Sequence, residues 1–380
     1  MTNVPGQIVR RGGISRTIFV ISLVIVAVAA GLGGYFSYGF LHPSPVLTLT
    51  GSGSTLVYPL MSAWTSNYNS MHSNVQINYG PVGSSNGITD FTNKIVDFAG
   101  TDAAPTAASL AGLNATLMIP ETIGAVTVAY NAQGLSTGLH LNRTVIAEIF
   151  QGNITNWSAG DIQYLNPGLT LPNQQITTVH RSDGSGTTFI FTSYLSTAGN
   201  WKFNPPSKSW PTTPAPGALG GNGNQQVATD ILSTPYSIGY VEVAYALQNN
   251  MSIGYVQNHD NSSFVKPTLA NITAAVSSYA ASFPPGSQSW SSVSLLNEPG
   301  TNSYPIVSFT YLLVYQQLNL VPLMTLERSK ALVDFLWYIV HQQGQTVATG
   351  LTYAALPQQV VTIDETTIQS ITYNGQTLPT

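Results

Sequence analysis

The sequence predicts an α/β fold preceded by one membrane-crossing helix, and three observations carry that prediction. Alternating apolar strands hand over to helical spacing across Gly/Ser turns, several times along the chain. An uncharged apolar run, Thr17 to Phe40, lies near the start. The 380 residues are enough for two domains with cores of their own.

At about 1.5 Å of rise per residue, the Thr17–Phe40 run is long enough for a bilayer core of about 30 Å. Arg10, Arg11 and Arg16 precede it and no Lys or Arg follows before Lys94, so the positive-inside rule puts residues 1–16 in the cytoplasm and everything after Phe40 outside. A cleaved signal peptide is the rival reading, with Ala27-Val28-Ala29 as the cleavage site, but the run is longer than most signal peptides. We expect an anchored ectodomain.

Composition narrows the function classes. Hydrophobic residues make up 43% and charged residues 7%, against about 25% charged in ordinary soluble proteins. Hydroxyl and amide side chains supply the polarity, which suits a surface working where carboxylates are neutralised. Eight Lys/Arg face fifteen Asp/Glu beyond residue 40, with no basic cluster, so nucleic-acid binding is not expected. There is no cysteine and hence no disulfide, and the six histidines show no metal-ligand spacing; no metal or cofactor is expected. Asn-x-Ser/Thr sequons begin at Asn114, Asn142, Asn153, Asn156, Asn250, Asn261 and Asn271, as on a glycosylated exterior.

Taken in order, Val46–Thr50 alternates as a strand, Gly51-Ser52-Gly53-Ser54-Thr55 turns, and Leu56, Leu60, Trp64 and Tyr68 recur at helical spacing. The turn lacks the third glycine of a dinucleotide motif and the lysine of a P-loop, but it offers a helix start to an anion. Val75–Tyr79 is the next strand, Gly83–Gly87 the next turn, and Ile88–Ile95 the next helix. Val96–Gly100 reads as a buried strand running into Asp102 and Pro105, where Asp102 is either a helix N-cap or a buried acceptor.

Ile123–Asn131 is strand-like. Gln175–Val179 leads into His180-Arg181-Ser182-Asp183-Gly184-Ser185-Gly186-Thr187-Thr188, and Phe189–Leu195 reads as the start of a buried helix. A Ser-Gly-Thr helix start leaves backbone N–H groups free for an anion, and Arg181 adds a planar donor fork that Asp183 is close enough to hold. The plainer reading is a capped turn with a surface ion pair. Trp201–Gly223 reads as loop, Ser237–Val241 as a strand, Ser282–Ser303 as a surface insertion, Ile306–Tyr315 as a strand, and Leu332 to Val340 as a long helix ahead of a polar tail.

These segments together resemble the phosphate-binding protein of phosphate ABC transporters, a periplasmic-binding-protein-like family. The resemblance rests on Leu49–Thr55, Gly83-Ser84-Ser85, Val96–Ala103, Leu165–Leu169, Arg181–Thr187, Ile238–Glu242 and Tyr304-Pro305-Ile306, in the family's order over roughly residues 46–360. It implies two α/β lobes with the ligand in the cleft between them, residues 46–124 plus 305–380 forming one and 125–304 the other. It also implies inorganic phosphate as ligand and an ABC permease as partner.

Carried over, Thr55 offers its N–H and hydroxyl to phosphate, Leu56 an N–H, and Ser84 a donor from the second helix start. Arg181, Ser185, Gly186 and Thr187 bind from the other lobe, Asp102 accepts a phosphate proton, and Asp183 supports the arginine. Leu56 stands where the family usually has phenylalanine, and Asn86 where it has glycine. Arg11–Arg16 resembles the pilin-type leader of some archaeal solute-binding proteins. Two other classes stay open: a surface structural or adhesive glycoprotein on this fold, and a serine hydrolase in which Gly83–Gly87 is the elbow, Ser85 the nucleophile, and His140, His180, His259 or His341 the base.

Overall fold

The computed structural model describes residues 28, 46–113, 115–211, 217–279 and 282–380. The membrane-helix and leader expectations and the Asn114 sequon lie outside them. Among the described residues no helix is long and apolar enough to cross a membrane.

The first half of the fold alternates strand and helix. β1 (Leu47–Gly53) is followed by α1 (Tyr58–Met71), β2 (Val75–Gly80), α2 (Ser84–Thr92), β3 (Phe98–Thr101) and the short α3 (Ala107–Ala111). β1 pairs in parallel with β2 on one side and β3 on the other. α1 buries Leu60, Met61, Trp64 and Tyr68, the stripe expected from the i+4 spacing.

β4 (Thr116–Asn131) is sixteen residues long and buried almost throughout, so its sequence is mostly apolar without alternation, although Glu121 and three threonines are buried in it as well. Its first ten residues pair antiparallel with β12 (Val307–Tyr315), and its last six with β8 (Ser237–Glu242). Between them the chain forms β5 (His140–Leu141), α4 (Arg143–Phe150), α5 (Gly160–Leu165), β6 (Thr177–Arg181), α6 (Gly186–Ser196), β7 (Leu219–Gly221) and α7 (Gly223–Ser233). After β8 come α8 (Val243–Gln248), β9 (Ser252–Ile253), β10 (Tyr255–Gln257), β11 (Phe264–Val265) and α9 (Leu269–Ser278). The strand order is β2-β1-β3-β12-β4-β8-β6-β7, with β9 also on β4. One continuous sheet therefore carries two parallel groups, β2-β1-β3 and β8-β6-β7, joined by the antiparallel strands β12 and β4.

Several expectations need correction. Gly83–Gly87 is no turn: Gly83 caps α2, and the helix runs from Ser84 and stops at Thr92 rather than at Ile95. Likewise α6 starts at Gly186, before Phe189. Asp102 caps no helix, because Thr106 takes that role for α3. The Ser282–Ser303 segment is irregular but not all surface: Trp290 and Leu295 are buried, and Trp290 meets Phe283, Phe309 and Tyr311. The polar tail after α10 (Leu326–Val340) forms α11 (Gln342–Gly350), α12 (Gln358–Gln369) and a hairpin, β13 (Thr372–Tyr373) with β14 (Gln376–Thr377).

Candidate anion-binding cleft

Parallel strands aim their C-terminal ends at the same side as the N-termini of the helices that follow. Thr55 follows β1, Asp102 follows β3, Arg181 ends β6 and Glu242 ends β8, while Ser84 opens α2, Gly186 opens α6 and Asn224 stands in the first turn of α7. All are buried, with Arg181 only 1% exposed, and so the pair it makes with Asp183 is not a surface ion pair.

The guanidinium is fully committed on one edge. Its Nε donates to Asp183 Oδ1 at 2.7 Å and one terminal nitrogen to Oδ2, while the other terminal nitrogen reaches Thr187 Oγ1 at 3.2 Å. Its backbone N–H donates to the Tyr240 hydroxyl at 3.0 Å. Asp183 also accepts from Gly223 N at 3.1 Å. Burial raises the Asp183 carboxyl, but the Arg181 hydrogen bond and charge outweigh it and hold the group below the usual carboxylate range. Arg181 and Asp183 thus form a pre-set fork at the start of α6, where Ser185 caps the helix by accepting from Thr188 N at 3.0 Å.

Across from it stands Asp102, which accepts from Ser54 Oγ at 2.5 Å and lies 3.4 Å from Ser84 Oγ. Desolvation lifts its carboxyl to about 6, against the lowering effect of Ser54, Thr310, Arg181 and Ser84. Ser84 Oγ also accepts from Gly186 N at 3.2 Å, so the starts of α2 and α6 touch. Gly83 explains part of this approach: its φ is +90°, and a Cβ there would meet Asp183 Oδ2 at 2.3 Å. Ser85 N donates to Gly184 O at 2.9 Å and closes the same seam.

Thr55 Oγ1 accepts from both the backbone and the side-chain N–H of Asn224, each at 3.1 Å, and Asn224 Nδ2 also reaches Thr187 Oγ1 at 2.9 Å. Leu56 N donates to Ser54 Oγ at 3.0 Å. The candidate residues therefore fall into two hydrogen-bonded clusters, Thr55, Arg181, Asp183, Ser185 and Thr187 in one and Leu56, Ser84, Asp102 and Gly186 in the other, joined through the backbone at Thr55-Leu56 and Ser185-Gly186-Thr187.

Two members of these clusters were not anticipated: Ser54 and Asn224. Ser54 lies inside the glycine-serine turn already singled out, but Asn224 carries no local signal, since its partner Thr55 is 169 residues away. Ser85 sits in the first turn of a helix and, among the described residues, no histidine is hydrogen-bonded to it. No group of three or more His, Asp or Glu is placed to hold a metal among the described residues.

Two parallel strand groups joined by antiparallel strands, with helix starts gathered at the strand C-terminal ends, make the class of α/β protein that can hold an anion in a cleft. Residues 41–343 match the PBP superfamily domain. The chain is 35% identical over 356 residues to the phosphate-binding protein PstS of Methanocaldococcus jannaschii, covering 89% of this chain and 90% of that protein. It is 36% identical to the PstS of Pasteurella multocida, covering 83% and 88%. In shape it is similar to a high-affinity periplasmic phosphate-binding protein solved at subatomic resolution with phosphate bound, at a TM-score of 0.67 and 21% identity over 83% of this chain and 92% of that one. The chain belongs to the PstS family of phosphate-binding proteins within the PBP superfamily.

Proposed function

We propose that this protein captures inorganic phosphate outside the cytoplasm and delivers it to the permease of an ABC importer. It acts as a carrier rather than an enzyme. Residues 46–124 plus 305–380 form one lobe and 125–304 the other, and residues 17–40 tether the pair to the membrane. Thr55, Leu56 and Ser84 bind phosphate from the first lobe, and Arg181, Ser185, Gly186 and Thr187 from the second, with Asp183 bracing the arginine.

The observation that carries this reading is a buried acceptor set against a buried cation at two helix starts: Asp102 beside Ser84, and Arg181 beside Thr187. Phosphate near neutral pH always keeps at least one proton, so it can satisfy Arg181 and the helix N–H groups with its charge while donating to Asp102. Sulfate has no proton and would leave two anions facing each other in a dry site, which costs several kcal/mol. Calorimetric titration of the full-length protein at neutral pH tests this. One-to-one phosphate binding with sulfate ignored is expected, and equal binding of the two anions, or of neither, would overturn the reading.

A further inference from the structure

Asn224 is a fully buried amide that the phosphate reading leaves unused. It stands in the first turn of α7, so its backbone N–H is one of the helix-start donors with no partner inside the helix, and that N–H goes to Thr55 Oγ1 at 3.1 Å. In the side chain, Nδ2 donates to Thr55 Oγ1 at 3.1 Å and to Thr187 Oγ1 at 2.9 Å, while Oδ1 accepts from Glu242 N at 3.0 Å. The last of these bonds decides which way the amide faces. A backbone N–H only donates, so the amide oxygen lies toward Glu242 and both amide hydrogens lie toward the two threonines.

A hydroxyl has two acceptor lone pairs and one proton. Thr55 Oγ1 receives two N–H groups, both from Asn224. Thr187 Oγ1 receives one from Asn224 and one from Arg181, the latter at 3.2 Å. Both oxygens are therefore filled as acceptors, and among the described residues neither hydroxyl donates to a protein group. Each is left with one proton to give.

We infer that Asn224 is a positioning residue for the phosphate cleft: by filling the acceptor sites of Thr55 and Thr187 it turns both hydroxyls into obligate donors for the anion. The inference rests on the phosphate reading above and adds a division of labour to it. The two hydroxyls give protons to phosphate oxygens and cannot take one, so the proton that phosphate retains goes to Asp102 and not to a threonine. Asn224 thus acts on specificity and affinity without touching the anion. An uncommitted hydroxyl would turn between giving and taking, and binding would have to fix it at a cost in affinity. The plainer role for Asn224 is a clasp that holds α7 against the chain ahead of α1. The two roles differ in what the bound anion experiences.

The test titrates phosphate into the full-length wild type, Asn224→Leu and Asn224→Ser, and repeats both substitutions in a Thr187→Val background. Infrared spectra of bound, isotope-labelled phosphate accompany each titration. Leucine keeps the bulk of asparagine without its donors, and the smaller serine serves if leucine does not fold. Either substitution should weaken phosphate binding about 10- to 100-fold, the scale of one misdirected hydrogen bond to a charged group, and should shift the P–O bands of the bound anion. In the Thr187→Val background the same substitution should cost about threefold less or better, because one of the two hydroxyls that Asn224 orients is gone. Affinity within about twofold of wild type, an equal cost in both backgrounds, or weaker binding with the P–O bands unmoved would each overturn the inference, the last two in favour of a clasp. Failure of the wild type itself to bind phosphate would instead refute the phosphate reading, and with it any role for Asn224 in holding that anion.

Discussion

Gly186→Ala isolates closure of the cleft from stability of the fold. A Cβ at residue 186 would lie 2.5 Å from Asp102 Oδ2, 2.6 Å from Ser84 Oγ and 2.7 Å from Asp102 Cβ. These are roughly 1 Å short of ordinary contact. Neither neighbour gives way easily, since Asp102 is fixed by Ser54 at 2.5 Å and Ser84 opens α2. Overpacking of this kind costs about 1–3 kcal/mol, which corresponds to about a 5- to 150-fold loss of affinity. The backbone itself has no objection: Gly186 is helical, and alanine is the better helix former. On the two-lobe reading proposed above, parting α6 from β3 relieves the collision, so the penalty falls on the state in which the two elements touch. Calorimetry should show weaker phosphate binding while the melting temperature without phosphate stays within a few degrees of wild type. Phosphate affinity within twofold of wild type would refute the reasoning, and a large drop in melting temperature would show that the contact persists without ligand.

Three further outcomes are expected. Arg181→Lys loses the two-pronged hold on Asp183 and the reach to Thr187, so phosphate affinity should fall about 10- to 100-fold by titration; an unchanged value would remove the arginine from the site. Asp102→Asn should admit sulfate at neutral pH. Because the Asp102 carboxyl is lifted to about 6, wild type should begin to admit sulfate as the pH drops below that point, and continued exclusion at pH 5 would place selectivity elsewhere. Without phosphate, the melting temperature should fall as pH rises from 6.5 to 8.5. Glu121 and Glu242 are both raised by burial, to about 8, so the folded state binds more protons than the unfolded chain from about pH 4.5 up to 8, and the stability they contribute is lost as pH climbs through that window. His180, lowered by burial, opposes this only below its unfolded value of about 6.5. A melting temperature that is flat or rising over that range would contradict the assignment.

The readable parts of the site are those where one short stretch carries both the fold signal and the chemistry. Arg181, Asp183 and Ser185–Thr187 sit within seven residues, and the turn after β1 lies between an alternating strand and an i+4 stripe, so both were legible. Gly83–Gly87 was misread because small polar residues have weak helix propensity and look like a turn. The helix forms there because the contact of Gly83 and Ser85 with Asp183 and Gly184 sets its start. The irregular segment around Trp290 and the helices after α10 were underestimated for a related reason. Trp290 packs on Phe309 and Tyr311 of β12, α11 on α10 and α1, and α12 on α10 and β4, contacts that neighbouring residues in the sequence do not announce.

The sequence alone determined the alternation of strand and helix, the glycine-serine helix starts, the arginine with its aspartate, and the family these motifs belong to. Local periodicity and turn chemistry act within a few residues, and a linear pattern preserves them. Only the tertiary structure decided that Asp102 is an acceptor rather than a cap, that Asn224 joins Thr55 to Thr187, and that Thr310 of β12 donates to Glu121 of β4. Those roles depend on which strands lie side by side and on how far burial strips water from a carboxyl. Both are properties of the folded sheet, set by contacts between residues 18 to 189 positions apart.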